Sequence, residues 1–208
     1  MKAHTKYTQE NLTPKDAHDF LVEGNERFVR NLKANRNLKE QVLETSTGQY
    51  PFAIILSCID SRVPAELVFD QGIGDIFSAR VAGNVINDDV LGSMEYACKV
   101  AGSKIVVVMG HTKCGAVTAA CNHVELGNIT TLLDKIKPSV SKFEIEGKKM
   151  SEETIELVSE DNVKHAIERI QKESTILREM EKNGEIEIVG ALYNVETGKV
   201  EFFEHDVL

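Results

Sequence analysis

Two short runs of uniformly apolar residues constrain this chain more than any other feature. Phe-Ala-Ile-Ile-Leu at 52–56 and Ile-Val-Val-Val-Met at 105–109 show no polar alternation. As strands they therefore need cover on both faces. Such strands belong to parallel sheets with helices above and below, joined by right-handed crossovers. The segments around them fit that scheme. A brief helix is expected at 64–69, a strand at 76–81, and a helix opened by Asp88 and Asp89, running to 100 and stopped at Ala101-Gly102. After the strand at 104–109 come a helix at about 114–122, another from 128 toward Pro138, and a polar loop at 143–149. Residues 151–183 are charged, helical in period and long enough for two helices, with Gly184 as a C-cap. Residues 186–193 and 200–203 flank a turn containing Gly198, the pattern of a hairpin.

Upstream, Thr13-Pro14-Lys15-Asp16 reads as a helix start, with Thr as N-cap and Pro at the first helical position. Ala17, Phe20, Leu21, Phe28 and Leu32 recur at helical spacing, and a second short helix follows at 37–45. The 208 residues are thus expected to form a single α/β domain. It comprises an N-terminal helical arm (1–47) and an α/β core (48–208), a central, mostly parallel sheet flanked by helices with a C-terminal β-hairpin. The arm's apolar stripe exceeds what a small core is expected to cover, which suggests an interface.

Charge removes some functions. Against 33 acidic residues stand 24 Lys and Arg, a net −9, leaving no basic surplus to neutralise a nucleic acid. No apolar stretch approaches the roughly 20 residues that span a bilayer, and the polar first residues show no signal-peptide core. A cytoplasmic protein with neither membrane nor nucleic acid as partner is expected. Its four cysteines, Cys58, Cys98, Cys114 and Cys121, are then reduced thiols: ligands, nucleophiles or packing residues.

Two segments carry chemistry. Ser57-Cys58-Ile59-Asp60-Ser61-Arg62 follows the first apolar run, and Gly110-His111-Thr112-Lys113-Cys114-Gly115 follows the second. In open α/β sheets sites form at the carboxyl ends of strands, and neighbouring strands lie about 4.8 Å apart, so side chains from both segments can converge on one ion. Cys58, His111 and Cys114 would supply two thiolates and an imidazole, a good zinc set with one coordination position free, as in catalytic sites. Taken singly, a cysteine after a strand is most often a small buried hydrophobe, and His-x-x-Cys is weak; the conjunction gives the signal. No Cys-x-x-Cys supports disulfide chemistry. A Cys-x5-Arg phosphatase loop fails because Pro64 and Ala120 stand at the sixth positions after Cys58 and Cys114. Asp60 and Arg62 form either an ordinary surface ion pair or an acceptor beside the metal held by a guanidinium fork. Such an Asp could also swing in as a fourth ligand.

Cys58-x-Asp60-x-Arg62 followed by His111-x-x-Cys114 resembles the beta-class carbonic anhydrases. The likeness extends from Gln49 to Ala116, including Val63–Glu66 and Glu95-Tyr96-Ala97, and more loosely through the hairpin. It implies reversible hydration of carbon dioxide to bicarbonate and a proton by a zinc-bound hydroxide. One Zn2+ per chain would be held by Cys58, His111 and Cys114, with Asp60 and Arg62 as catalytic pair. Gln49, nine residues before the first ligand, Phe77, nineteen after it, and Tyr96 match the substrate pocket of the plant-like group. Ala82 falls where that group often has Val. The bicarbonate-regulated group has a Trp where this chain has Ile55, and the chain has no Trp. The resemblance further implies a homodimer or dimer-based tetramer with pocket residues shared across the interface. Without it, Phe77 and Tyr96 would read as core and Gln49 as a loop residue. Cys98 and Cys121 are expected to pack, and His4, His18, His123, His165 and His205 have no assigned role. Two thiolates donate more charge than imidazoles, so activity should rise on the alkaline side. The same centre could attack carbon disulfide or a similar heterocumulene, or be a non-catalytic zinc site closed by Asp60.

Overall fold

Both apolar runs become adjacent central strands in the computed structural model, which describes residues 1–203. Strands β1 (Ala53–Ser57), β2 (Ile76–Arg80), β3 (Ile105–His111), β4 (Glu187–Tyr193) and β5 (Val200–Phe202) form one sheet in the order β2-β1-β3-β4-β5. The first four are parallel, and β5 returns antiparallel to β4 as a hairpin. The helices are α1 (Lys6–Glu10), α2 (Pro14–Val29), α3 (Leu38–Thr45), α4 (Ala65–Val68), α5 (Asp88–Glu95), α6 (Gly115–Cys121), α7 (Gly127–Leu133), α8 (Lys137–Phe143), α9 (Glu152–Glu173) and α10 (Thr175–Lys182).

The lack of alternation in the sequence now has its cause. Ala53 and Ile55 of β1 with Ile105, Val107 and Met109 of β3 face one apolar cluster, shared with Ala17 and Leu21 of α2 and Val68 of α4. Ile54 and Leu56 with Val106 and Val108 face a second, shared with Met94 of α5, Ala166 and Ile170 of α9 and Leu177 of α10. Each face is dry, so both parities are apolar.

The arm differs from expectation. Thr13 caps α2 through a box with Asp16, Pro14 sits in the first turn, and the stripe docks on the chain's own sheet. Ala17 and Leu21 are fully buried, and enclosing a side chain such as Leu21 stabilises this docking by roughly 1.5–3 kcal/mol. The sheet thus covers more of the stripe than expected but not all of it: Leu32, its last residue, stays exposed with Val29 beside it. Another difference concerns the segment around Pro138. One helix was expected from 128 toward Pro138; α7 and α8 form instead. Proline lies in the first turn of α8, where its missing N–H has no partner to lose. The helix expected to reach 100 does so, but its last turn, Tyr96–Val100, is a π-turn.

β1 lies between β2 and β3, so the chain leaves it to opposite sides. This reversal makes the carboxyl ends of β1 and β3 a topological switch point, where a crevice opens above the sheet. β3 also runs two residues beyond the expected strand, because Gly110 and His111 pair with Leu192 and Tyr193 of β4.

Candidate metal centre

Cys58 follows β1 directly, His111 ends β3, and Cys114 is the N-cap of α6. Their ligand atoms all lie within 4.8 Å of one another. The three side chains are buried, at 4%, 1% and 1% exposure for Cys58, His111 and Cys114. Among the described residues this is the only group of three His, Cys, Asp or Glu residues placed to hold a metal ion.

The donor chemistry fits a thiophilic cation. His111 Nδ1 donates to the Thr112 carbonyl at 2.9 Å, so Nε2 carries the free lone pair. That Nε2 is buried without a hydrogen-bond partner, a costly state for a polar atom that a metal would relieve. Cys114 makes no side-chain cap bond to its helix, leaving its sulfur available. The Cys58 thiol is pulled down to about 4, first by a hydrogen bond from Cys114 and further by His111 and the Gly83 amide. Cys114 is pushed up, because a second thiolate would face the first in a desolvated space. A divalent cation removes this conflict and lets both sulfurs be anionic.

Asp60 stands beside the three ligands. Its Oδ2 is 4.0 Å from His111 Nε2. Arg62 occupies both carboxylate oxygens: its backbone N–H and Nε donate to Oδ1, each at 2.9 Å, and a terminal guanidinium nitrogen donates to Oδ2 at 2.8 Å. The same arginine donates to the Lys113 carbonyl at 3.2 Å, linking the two motifs. This fork holds the Asp60 carboxyl down at about 2.

The expected pocket residues divide. Ala82 opens a 3-10 turn, Ala82–Asn84, whose Gly83 amide donates to Cys58 Sγ at 3.4 Å. Phe77 pairs in register with Ile54, four residues and so about 13 Å of strand before Cys58. Phe77 and Tyr96 meet edge to face with ring centroids 6.3 Å apart, and they line a cavity of about 640 Å3 with Ile54 and Gly92. Tyr96 is 53% exposed. Gln49 is exposed in the loop before β1, at the strand end opposite the ligands. Within one chain these three do not meet the cluster.

A family model described as Carbonic anhydrase matches residues 53–200. Carbonic anhydrase 2 of Mycobacterium tuberculosis is 34% identical over 201 residues, covering 94% of this chain and 95% of that protein. The chain belongs to the beta-carbonic anhydrase family. The crystal structure of the beta-carbonic anhydrase CafA of Aspergillus fumigatus superposes with a TM-score of 0.72 at 29% identity, covering 80% of this chain and 81% of that one. A tetrameric beta-carbonic anhydrase of Sordaria macrospora shares the fold, with a TM-score of 0.71 at 19% identity, over 91% of this chain and 98% of that one. The chain is therefore a carbonic anhydrase, a zinc-dependent lyase that hydrates carbon dioxide reversibly, and its Cys58, His111 and Cys114 cluster could hold that metal.

In this carbonic anhydrase several supporting residues escape sequence reading. Arg80, the register partner of Ser57, donates to the carbonyls of Cys58 at 3.0 Å and Asp60 at 2.6 Å. Glu156 of α9 accepts the Lys113 amide at 2.8 Å, holding a residue whose φ is 54° between the second and third ligands. Asn162, also of α9, donates to the Gly83 carbonyl at 2.9 Å. Only Asn162 left a trace in the sequence, a polar residue among the buried Val158, Val163, Ala166 and Ile170. His4, His18, His123 and His165 stand apart from the cluster, and His205 lies outside the described residues. No helix among the described residues is long and apolar enough to cross a membrane.

Proposed function

We propose that Cys58, His111 and Cys114 are the ligands of one zinc ion per chain, and that Asp60 and Arg62 are the catalytic pair. The observation that carries this reading is the Asp60–Arg62 fork beside the three buried donors. Zinc, when bound, supplies the Lewis acidity that makes water a nucleophile near neutral pH. Asp60, kept ionised by Arg62, presents an acceptor-only carboxylate next to the metal position. It accepts a hydrogen bond from the nucleophile and so selects which lone pair faces carbon dioxide. Arg62 engages both oxygens and is itself anchored on the Lys113 carbonyl, which keeps Asp60 from turning inward as a fourth ligand. This arrangement disfavours a non-catalytic closed site.

Carbon dioxide is small, neutral and apolar, and it requires a wall rather than a charge. Phe77 and Tyr96 supply such a wall, Ala82 flanks the ligands, and the Gln49 amide can donate to the oxygen that gains charge as bicarbonate forms. Since Gln49, Phe77 and Tyr96 lie away from the cluster of their own chain, they serve the centre of a second copy in a two-fold homodimer, or a tetramer of such dimers. Gln49, Phe77 and Tyr96, with Ile55 where the bicarbonate-regulated group has Trp, support the plant-like group. Residues 1–208 form one domain, its first 47 residues a helical arm, working in the reducing cytoplasm where Cys58 and Cys114 stay thiols.

The test combines zinc stoichiometry with stopped-flow hydration of carbon dioxide across pH. One zinc per chain and a rate rising on the alkaline side are expected. Full hydration by metal-free protein would overturn the reading. Parallel assays with carbon disulfide show whether that heterocumulene is also a substrate.

A further inference from the structure

The Gly83 amide touches the first ligand from a left-handed turn. Gly83 has φ +66° and Asn84 has φ 44°, two successive residues in the left-handed region. A Cβ on Gly83 would come within 2.7 Å of Ile136 Cδ1. Glycine adopts this conformation freely and asparagine tolerates it, so backbone preference alone does not fix the direction of the Gly83 peptide. The Asn84 amide donates to the Val81 carbonyl at 2.9 Å, closing the turn. A direct hold on the Gly83 carbonyl comes from across the fold: Asn162, at 2% exposure, donates to it from Nδ2. Helix α9 can come this close because Gly110 of β3 has no side chain; a Cβ there would lie 2.7 Å from Val163 Cγ2.

We propose that Asn162 is a positioning residue for the metal centre, setting through Gly83 the N–H···S hydrogen bond to Cys58. The inference rests on Cys58 being a zinc ligand. The hydrogen bond withdraws electron density from the sulfur, which weakens its donation and leaves the metal more electrophilic; bonds of this kind to ligand sulfurs tune metal centres generally. Asn162 touches neither metal nor substrate. It fixes the direction of the Gly83 carbonyl, and with it the tilt of the turn that aims the amide at Sγ.

The test uses Asn162→Leu, which keeps the volume and removes the donor, beside Val163→Ala, a neighbouring core change that loosens packing over Gly110 but removes no hydrogen bond to Gly83. Both variants and the unaltered chain are loaded with cobalt(II) and with zinc. Asn162→Leu should shift the sulfur-to-cobalt charge-transfer band to lower energy, because the sulfur regains the electron density that the hydrogen bond withdrew. Val163→Ala should leave the band in place even where its thermal midpoint falls as far. An unmoved band in Asn162→Leu, or an equal shift in Val163→Ala, overturns the proposal. If Asn162→Leu fails to fold, cadmium-113-loaded native protein decides: the Gly83 amide proton should show scalar coupling to the metal through sulfur, and no coupling overturns it. The ligand assignment fails separately, if Cys58→Ser retains one zinc per chain.

Discussion

Cys58 and Cys114 differ from Cys98 and Cys121 in almost nothing that burial measures. All four are buried, at 4%, 1%, 2% and 9% exposure for Cys58, Cys114, Cys98 and Cys121 respectively. Their chemistry nonetheless diverges. Cys58 is pulled down to about 4 by the hydrogen bonds converging on it and Cys114 is pushed up by facing it, whereas Cys98, in a helical turn among Met94, Leu177 and Met180, is pushed up to about 12 by burial alone. Cys121, on the last turn of α6, is raised for the same reason. The difference comes from place in the fold. The carboxyl ends of parallel strands collect loop amides and side-chain donors, while the inside of a helix has already used its own amides. Thiolate character therefore follows the donors that surround a sulfur, and depth contributes the opposing push.

The largest effect should come from removing one member of the first pair. Cys58→Ser or Cys114→Ser should abolish stoichiometric zinc and lower hydration by more than about 10³-fold, because the acceleration of water attack leaves with the metal. Cys98→Ala should retain both. Metal analysis with stopped-flow assays of the three variants checks this, and a zinc-free Cys98→Ala would break the division between the pairs.

That division was largely legible in the sequence. Two motifs placed directly after two uniformly apolar runs identified Cys58, His111 and Cys114, because strand ends in such sheets converge on a crevice. The succession of strands and helices along the chain and the two-helix reading of 151–183 also hold. Less local features were hidden. Nothing in the string shows that Gly110 and His111 extend β3, since that follows from pairing with β4, about 80 residues downstream. Nor does periodicity reveal that Arg80 holds the Cys58 and Asp60 carbonyls, or that Asn162 reaches Gly83. A polar residue within a helical stripe signals a buried partner without naming it. How much of the arm's stripe is covered was hidden for the same reason: that cover, the face of β1 and β3, is non-local.

Asp60→Asn should give the next effect. The variant keeps its zinc ligands but loses the charge that Arg62 holds, so hydration should fall by roughly 10²-fold with zinc content unchanged. It also has a sign in acid. A carboxyl held at about 2 stabilises the fold fully above its unfolded value of about 4 and loses that contribution as pH falls toward 2. Thermal midpoints between pH 5 and pH 2 should therefore fall less steeply in Asp60→Asn than in the native chain. Identical slopes would mean that the fork adds nothing beyond geometry.

Removing the metal sharpens the comparison through stability, read independently of catalysis. Zinc at about 100 times its dissociation constant stabilises a folded chain by about 2.7 kcal/mol, which for a protein of this size moves the midpoint by roughly 5–10 °C. A chelator should lower the native midpoint by that amount and Cys98→Ala by the same amount. It should leave Cys58→Ser unmoved. In the metal-free native chain, thiolate absorbance near 240 nm should titrate for one cysteine far below its ordinary value, and Cys58→Ser should remove that step.

The smallest effects belong to the second pair, and they separate packing from chemistry. Cys98→Ala leaves a small cavity in the cluster of Ile54, Leu56 and Met94 and should cost about 1 kcal/mol. Cys98→Ser preserves the volume more closely, yet it places a hydroxyl among apolar neighbours. Burying that group without a partner costs roughly 1–3 kcal/mol, so the serine variant should be less stable than the alanine variant despite its better fit. Cys121→Ser, at a helix end with 9% exposure, should cost less than Cys98→Ser because water can reach the new hydroxyl. Denaturant midpoints order the three. If Cys98→Ser were the most stable of them, the sulfur at 98 would have a polar partner, and the contrast between the two pairs would be one of degree.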